Sequence, residues 1–336
     1  MTTPSVTRYL SAGGARVYRL PLHVFPWMIG YAYLVVDGAY CALIDVGSGR
    51  GTSDADLDAG LASVRDDWGE PVEWSHLSRI VVSHGHIDHY GGLGHVRRRT
   101  AAPVAIHVLD RSIIAAYDER HALSVRTMRD YLRFAGVAPA QRVHLEQFHG
   151  GGRAGYPSVA PERILHDGER LDDRFQVIHT PGHCAGHVCL LLDDLLLTAD
   201  QILPTTAMFL APEHLAPSSG LMHYLASLER LRRVTGVTMA LGGHDDPMPD
   251  LGSAIDDMER DQRRRLERVR HACAVPRTIA EITEAVHPRI RDFNLLLGLQ
   301  KIGAYVEYLD TRGELRITNA DQLYDDPDAP PRYMLG

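Results

Sequence analysis

The chain concentrates its chemistry in one stretch, Ser83-His84-Gly85-His86-Ile87-Asp88-His89-Tyr90-Gly91-Gly92, which places three histidines and an aspartate within six positions. The apolar run Arg79-Ile80-Val81-Val82 before it reads as a short buried strand. The glycines after it read as a turn that opens a helix near Leu93. Side chains alternate along an extended segment, so His84 and His86 face the same way, while Asp88 and His89 approach from beyond the turn. Imidazole and carboxylate together suit zinc, iron or manganese. The bland alternative, a polar loop that happens to be rich in histidine, loses its force further along the chain. His183 follows the apolar run Phe175–Ile178 through His179-Thr180-Pro181-Gly182, Asp200 follows Leu195–Leu197, and His244 follows Val237–Leu241. Asp45 follows Tyr40–Ile44, where it is either a turn former or an anchor for the outer nitrogen of a ligating histidine. Eight such residues at five strand ends imply one common site on one edge of a sheet sandwich.

The elements that must carry these residues follow from periodicity. Strands are expected at Val17–Leu20, Tyr33–Val36 and Tyr40–Ile44, the last two joined by Asp37-Gly38 as a tight turn. A helix is expected from Asp54 to Asp67, then the strand at residues 80–82 and another at Val104–His107. Residues 111–134 read as helical with a break near His121. His107 and His121 are assigned to packing or surface roles. Gln147–Pro161 reads as a glycine-rich loop containing Gly150-Gly151-Gly152, without the Lys-Ser/Thr ending of a phosphate loop. Val188–Leu192 and Leu195–Leu197 form a hairpin around Asp193-Asp194, and Leu221–Val234 a helix.

Composition bounds the function classes. The 336 residues are 45% hydrophobic and 23% charged, ordinary for a globular protein, and the formal net charge is −8. That balance argues against a nucleic-acid substrate, which selects a basic face. Lys301 is the only lysine among 35 basic residues, which reads as a coding bias. The four cysteines, Cys41, Cys184, Cys189 and Cys273, fit neither a zinc knuckle nor a redox pair, so reduced thiols and a cytoplasmic location are expected. The N-terminal residues do not read as a signal peptide, and no apolar run is long enough to span a membrane.

Leu43-Ile44-Asp45-Val46-Gly47, His84-x-His86-x-Asp88-His89, Thr180-Pro181-Gly182-His183, Asp200 and Gly243-His244, in this order over residues 17 to about 250, resemble the metallo-β-lactamase-fold hydrolase superfamily. The resemblance implies an α/β fold, an αββα sandwich of two mixed sheets faced by helices, over residues 1–250. It implies two divalent metal ions, zinc first, with iron or manganese as alternatives. One would be bound by His84, His86 and His183, the second by Asp88, His89 and His244, with Asp200 bridging. Asp45 and His179 would support the ligands from behind. Gln201 after Asp200 and Asp245-Asp246 after His244 depart from the pattern without removing a ligand.

Residues 251–336 read as a separate unit: a long arginine-rich helix from Ile255 to Ala272, a capping box at Thr278–Glu281, a helix from Phe293 to Tyr308, and a turn and strand at Gly313–Ile317. This order resembles a small winged-helix domain, as carried by glyoxalase-II-like hydrolases and β-lactamase-like ribonucleases. Packing or dimerisation is its expected role, because the helix that would enter a groove carries Gln300 and Lys301 but few other cations.

Two cations about 3.5–4 Å apart can share one water and lower its pKa toward ~7. The expected activity is therefore attack of a metal-bridging hydroxide on a thioester, ester or lactone carbonyl of a small-molecule or acyl-carrier substrate. Asp88 and Asp200 would act in catalysis as well as in binding, with Tyr90 or His179 as proton donor to the leaving group. The alternative is a phosphodiesterase or ribonuclease. A β-lactamase ranks below both, because Asp200 stands where common lactamases have cysteine, and a non-enzymatic binding module ranks last. A homodimer is the expected self-association.

Overall fold

Alternating apolar residues along the N-terminal strands sort the molecule into layers. In the computed structural model, which describes residues 4–150 and 155–336, β1 (Thr7–Leu10), β2 (Arg16–Phe25), β3 (Met28–Asp37) and β4 (Tyr40–Ile44) form an antiparallel meander. β5 (Arg79–Val81), β6 (Val104–His107) and β7 (Arg163–Leu165) extend it in parallel. A second sheet contains β8 (Arg170–Leu171), β9 (Phe175–His179), β10 (Val188–Leu192), β11 (Leu195–Ala199) and β12 (Met239–Gly242), in the spatial order β12-β11-β10-β9-β8. Val17, Val35, Ala42 and Ile44 meet Val177, Val188, Leu190 and Leu197 between the sheets. Their strand neighbours Tyr18, Leu34, Val36 and Leu43 point the other way, as the two-residue period requires.

Helices cover both outer faces, which makes the molecule an αββα sandwich. The first sheet carries α1 (Ser53–Asp66), α2 (Ile87–Tyr90) and α3 (Leu93–Arg97). After α4 (Arg111–Ala115), the second sheet carries α5 (Tyr117–Phe134), α6 (Pro139–Gly150), α7 (Leu221–Arg232) and the C-terminal helices α8 (Leu251–Ala272), α9 (Ile279–Val286) and α10 (Asp292–Thr311). β13 (Leu315–Ile317) and α11 (Ala320–Asp325) follow, and β14 (Tyr333–Leu335) pairs with β13 at the end of this C-terminal helical region. The capping box opens α9 through both reciprocal bonds, Glu281 N–H to Thr278 Oγ1 and Thr278 N–H to Glu281 Oε2. Leu299, Ile302 and Leu309 of α10 belong to the same buried cluster as Leu196 and Ala240 of the second sheet. No described helix is long and apolar enough to cross a membrane.

Two local expectations fail. The break in the 111–134 segment falls at Ala116, whose φ of −144° and ψ of 59° are not helical, and His121 sits inside α5 with its ring stacked on Tyr117. The segment expected to be a loop from Gln147 begins as the end of α6, because Leu145 is fully buried and Glu146 pairs with Arg129 of α5. Gly150 ends that helix, and Gly151 and Gly152 lie outside the described residues. β1, β7 and β8 escaped notice because four, three and two residues are too few to display a period.

A core shared by the second sheet and α10 predicts shared melting. Ile302→Ala is expected to cost about 2–5 kcal/mol and to lower the main unfolding transition as a whole in a calorimetric scan. A separate transition that alone responds would show that the C-terminal helices melt by themselves.

Candidate metal centre

The parallel run β4-β5-β6, and the common direction of β9, β11 and β12 in the other sheet, bring the ends of these strands to one edge. Asp45 leaves β4 at φ 59°, and Ala199, at φ 41°, turns the chain into Asp200. Left-handed backbone costs a non-glycine residue about 1–2 kcal/mol, so both carboxylates are turned inward against a conformational cost. His84 and His86 follow β5, Asp88 and His89 lie on α2, His183 follows β9 and His244 follows β12.

The structure brings all seven predicted ligand residues together. His84 Nε2, His86 Nδ1 and His183 Nε2 form a triangle with sides of 3.0, 2.8 and 3.2 Å. On the other side, Asp88 Oδ2 lies 3.3 Å from His244 Nε2 and 3.9 Å from His89 Nε2. Asp200 stands between the two groups, with Oδ2 3.5 Å from His183 Nε2 and 3.4 Å from His244 Nε2, and Oδ1 3.4 Å from His89 Nε2. The close packing of Asp200 requires Gly243, where a Cβ would collide with Asp200 Oδ1.

Outer partners set which nitrogen of each ring is bare. His183 Nδ1 donates to the carbonyl of Phe209 at 3.0 Å and His244 Nδ1 to that of Ile29 at 3.0 Å. His89 Nδ1 donates to Asp45 Oδ2 at 2.8 Å. Ser83 Oγ donates to the same carboxylate oxygen and so accepts from His84 Nδ1. The inward nitrogens of His84 and His183 therefore carry lone pairs, and those of His89 and His244 offer theirs once they give up the proton that the surrounding carboxylates favour. Bare nitrogens about 3 Å apart repel one another unless a cation lies among them. His89 Nε2 and Asp200 Oδ1 are buried and lack any hydrogen-bond partner in the structure, which buried polar atoms rarely do. The His/Asp clusters are thus able to bind metal, and the donor set fits a borderline divalent cation.

Burial and charge divide the titrating groups. Burial pushes His84 and His86 down and takes His183 to about 3, so these rings are neutral donors at ordinary pH. Burial also opposes charge on His89 and His244, but the surrounding carboxylates, Asp200 foremost, outweigh it and raise both. Burial works against ionised Asp88 as well, yet His89 and His244 bring its carboxyl down to about 2.

Two supporting residues, Asp110 and His187, have no place in the sequence analysis, and a third, Asp245, enters it only as a departure from the family pattern. Asp110, fully buried, accepts from the N–H of Gly85 at 2.7 Å, the N–H of Gly186 at 2.9 Å and the thiol of Cys184 at 3.1 Å, tying the His84–His86 turn to the His183 loop. His187 accepts from the Asp200 N–H at 3.2 Å and donates to Thr180 Oγ1 at 2.8 Å. It precedes a strand instead of following one, so a search of strand ends passes over it. Asp245 accepts from the backbone and hydroxyl groups of both Thr205 and Thr206, pinning that loop beside His244. Among the remaining candidates, His179 donates to the Ala185 carbonyl at 2.8 Å and stacks on His107, bracing the His183 loop. Tyr90 is buried in the core beneath the first sheet, where burial raises its hydroxyl pKa.

A family model described as the metallo-beta-lactamase superfamily matches residues 25–244. The chain is 28% identical over 174 residues to the acyl-coenzyme A thioesterase MBLAC2 of Gallus gallus, a match covering 49% of this chain and 55% of that protein. The aligned part thus spans about half the length of that relative. The fold resembles a metallo-beta-lactamase family protein from Thermus thermophilus (TM-score 0.73, 23% identity, 95% of this chain and 98% of that one). It also resembles a beta-lactamase domain protein from Burkholderia ambifaria (TM-score 0.74, 22% identity, 98% and 94%).

The neutral histidines predict how the metal-free chain responds to acid. An unfolded histidine protonates near 6.5, whereas folded His183 resists protonation until about 3. Its stabilisation is present above the unfolded value and is lost as pH falls from about 6.5 toward 3. His84, His86 and His187 act in the same direction. His89 and His244, raised in the fold, add no slope in that window because both states are already protonated there. Denaturant midpoints of chelator-treated protein are expected to fall across that range.

Proposed function

Because this chain belongs to the metallo-beta-lactamase superfamily, a superfamily of hydrolases, we propose that it is a two-metal hydrolase of a thioester, ester or lactone carbonyl, with an acyl-thioester as the first substrate to test. The observation that carries this reading is the position of Asp200, whose Oδ2 lies almost equidistant from one histidine of each group. His84, His86 and His183 would hold one ion, and Asp88, His89 and His244 the other. Zinc suits the donors best, since imidazole predominates. Bound there, divalent cations supply an ionised water near neutral pH and polarise the carbonyl oxygen.

The protein groups do the rest. Asp45 holds His89 with its Nε2 inward, and such outer partners sustain metal affinity. Asp88 stays ionised at neutral pH, so it can accept a proton-bearing contact from the attacking water while binding. His187 fixes the backbone of Asp200. Support for a thioester comes from the similarity to an acyl-coenzyme A thioesterase, and the net charge of −8 disfavours a nucleic acid as substrate. The phosphodiesterase reading loses its cationic helix, because Gln300 is buried and Lys301 is bonded inward to Met208.

His86→Ala and Asp200→Ala are expected to abolish turnover of an acyl-thioester and to lower metal content, with little change in circular dichroism. Wild-type rates in either variant would remove the two-metal assignment, and cleavage of bis-(p-nitrophenyl) phosphate alone would move the reading to phosphodiesters. Tyr90 keeps its proton at neutral pH and is the group to test as donor to the leaving atom. A thiol, with pKa about 8.5, leaves as its anion far more readily than an alcohol does. Tyr90→Phe is therefore expected to slow an ester more than the matching thioester, as a comparison of the two kcat values would show.

A further inference from the structure

Lys301, the only lysine in the chain, lies on α10, and its Nζ donates to the carbonyl of Met208 at 2.6 Å. A cationic side chain is costly to bury, and burial pushes this one down to about 7, with Arg265 adding to the effect and Asp261 opposing it. A methionine would fill similar volume without that cost, so what the amine contributes is the bond to Met208. The next residue, Phe209, supplies the carbonyl that accepts from His183 Nδ1. Its half-buried ring stands edge-on to His86 and His183, with centroids 5.5 and 6.1 Å away. Residues 208–214 contain no strand or helix. They are held a second time from α10, where Glu307 accepts from the N–H of Glu213 at 2.8 Å and of His214 at 3.3 Å.

We propose that Lys301 is a positioning residue of the metal centre: by fixing the Met208 carbonyl, it sets Phe209 so that the carbonyl of Phe209 orients His183 and its ring walls the space where an acyl chain would lie. α10 thereby belongs to the site, although it contributes none of the candidate ligands. The part concerning the acyl chain rests on the thioester reading above. The part concerning His183 needs only a metal-loaded chain.

The test compares Lys301→Met, which keeps the aliphatic stem and removes the donor, with Lys301→Arg, which restores a donor. In the full chain reconstituted with zinc, the downfield NMR signal of the His183 Nδ1 proton reads the contact with Phe209. Its solvent exchange is expected to quicken about tenfold in Lys301→Met, the scale of one lost hydrogen bond, and to recover most of the way in Lys301→Arg. At saturating zinc, KM for an octanoyl-thioester is expected to rise about fivefold in Lys301→Met, a change of the size that apolar pocket contacts give, and KM for the acetyl-thioester to rise less. An unchanged His183 proton overturns the proposal even if the melting temperature falls, since a mere strut would lower stability alone. An equal rise in KM for both thioesters overturns the wall formed by Phe209. If the wild-type chain cleaves no thioester, the thioester reading has failed, and the His183 proton still decides the role of Lys301.

Discussion

The carboxylate of Asp45 is the constraint on which the centre depends. It is buried at the end of β4 and accepts from the Ser83 N–H at 2.7 Å, the Ser83 hydroxyl at 2.8 Å and His89 Nδ1 at 2.8 Å. A buried carboxylate must have its lone pairs satisfied, and here the donors are the residue before His84 and a candidate ligand itself. One group thus sets the tautomers of two rings, His89 directly and His84 through Ser83. The parallel pairing of β4 with β5 makes this contact reachable, because both strand ends arrive at the same edge.

Around that anchor the protein builds a second ring of bonds, each joining segments distant in sequence. Asp110 joins the loops of His84–His86 and His183, His187 holds the backbone of Asp200, and the carbonyls of Phe209 and Ile29 turn His183 and His244. Metal ligands that are free to rotate lose affinity, and outer hydrogen bonds remove that freedom. The inward-facing nitrogens are thereby arranged before any ion arrives. The mutual repulsion of the bare nitrogens of His84, His86 and His183 is borne by the packing of the two sheets and is relieved by a cation.

The C-terminal helices take part in this arrangement through the core. Leu299, Ile302 and Leu309 share a buried cluster with the outer face of the second sheet, and the same helix fixes the loop that contains Phe209 through Lys301 and Glu307. Burial of apolar surface holds the helix down, and its polar groups then replace the ladder bonds that an irregular loop lacks. Gln300 and Lys301, the polar residues of the helix that would have to enter a groove, make internal contacts.

The amino-acid order by itself determined the sandwich, the edge and the candidate ligands. Strands announce themselves by a two-residue period, and metal chemistry demands His and Asp, so His84, His86, Asp88, His89, His183, Asp200 and His244 were legible at strand ends. The capping box at Thr278 was legible for a similar reason, since both of its bonds span three residues. Only the tertiary structure decided what holds them. Backbone carbonyls such as those of Phe209 and Ile29 carry no residue type to notice. His187 sits where the strand-end rule does not look, Asp110 follows β6 with no motif beside it to mark it, and Lys301 meets Met208 across 93 positions. Such contacts exist only after the chain has folded, because they are selected by where burial brings a donor and an acceptor together rather than by any local pattern.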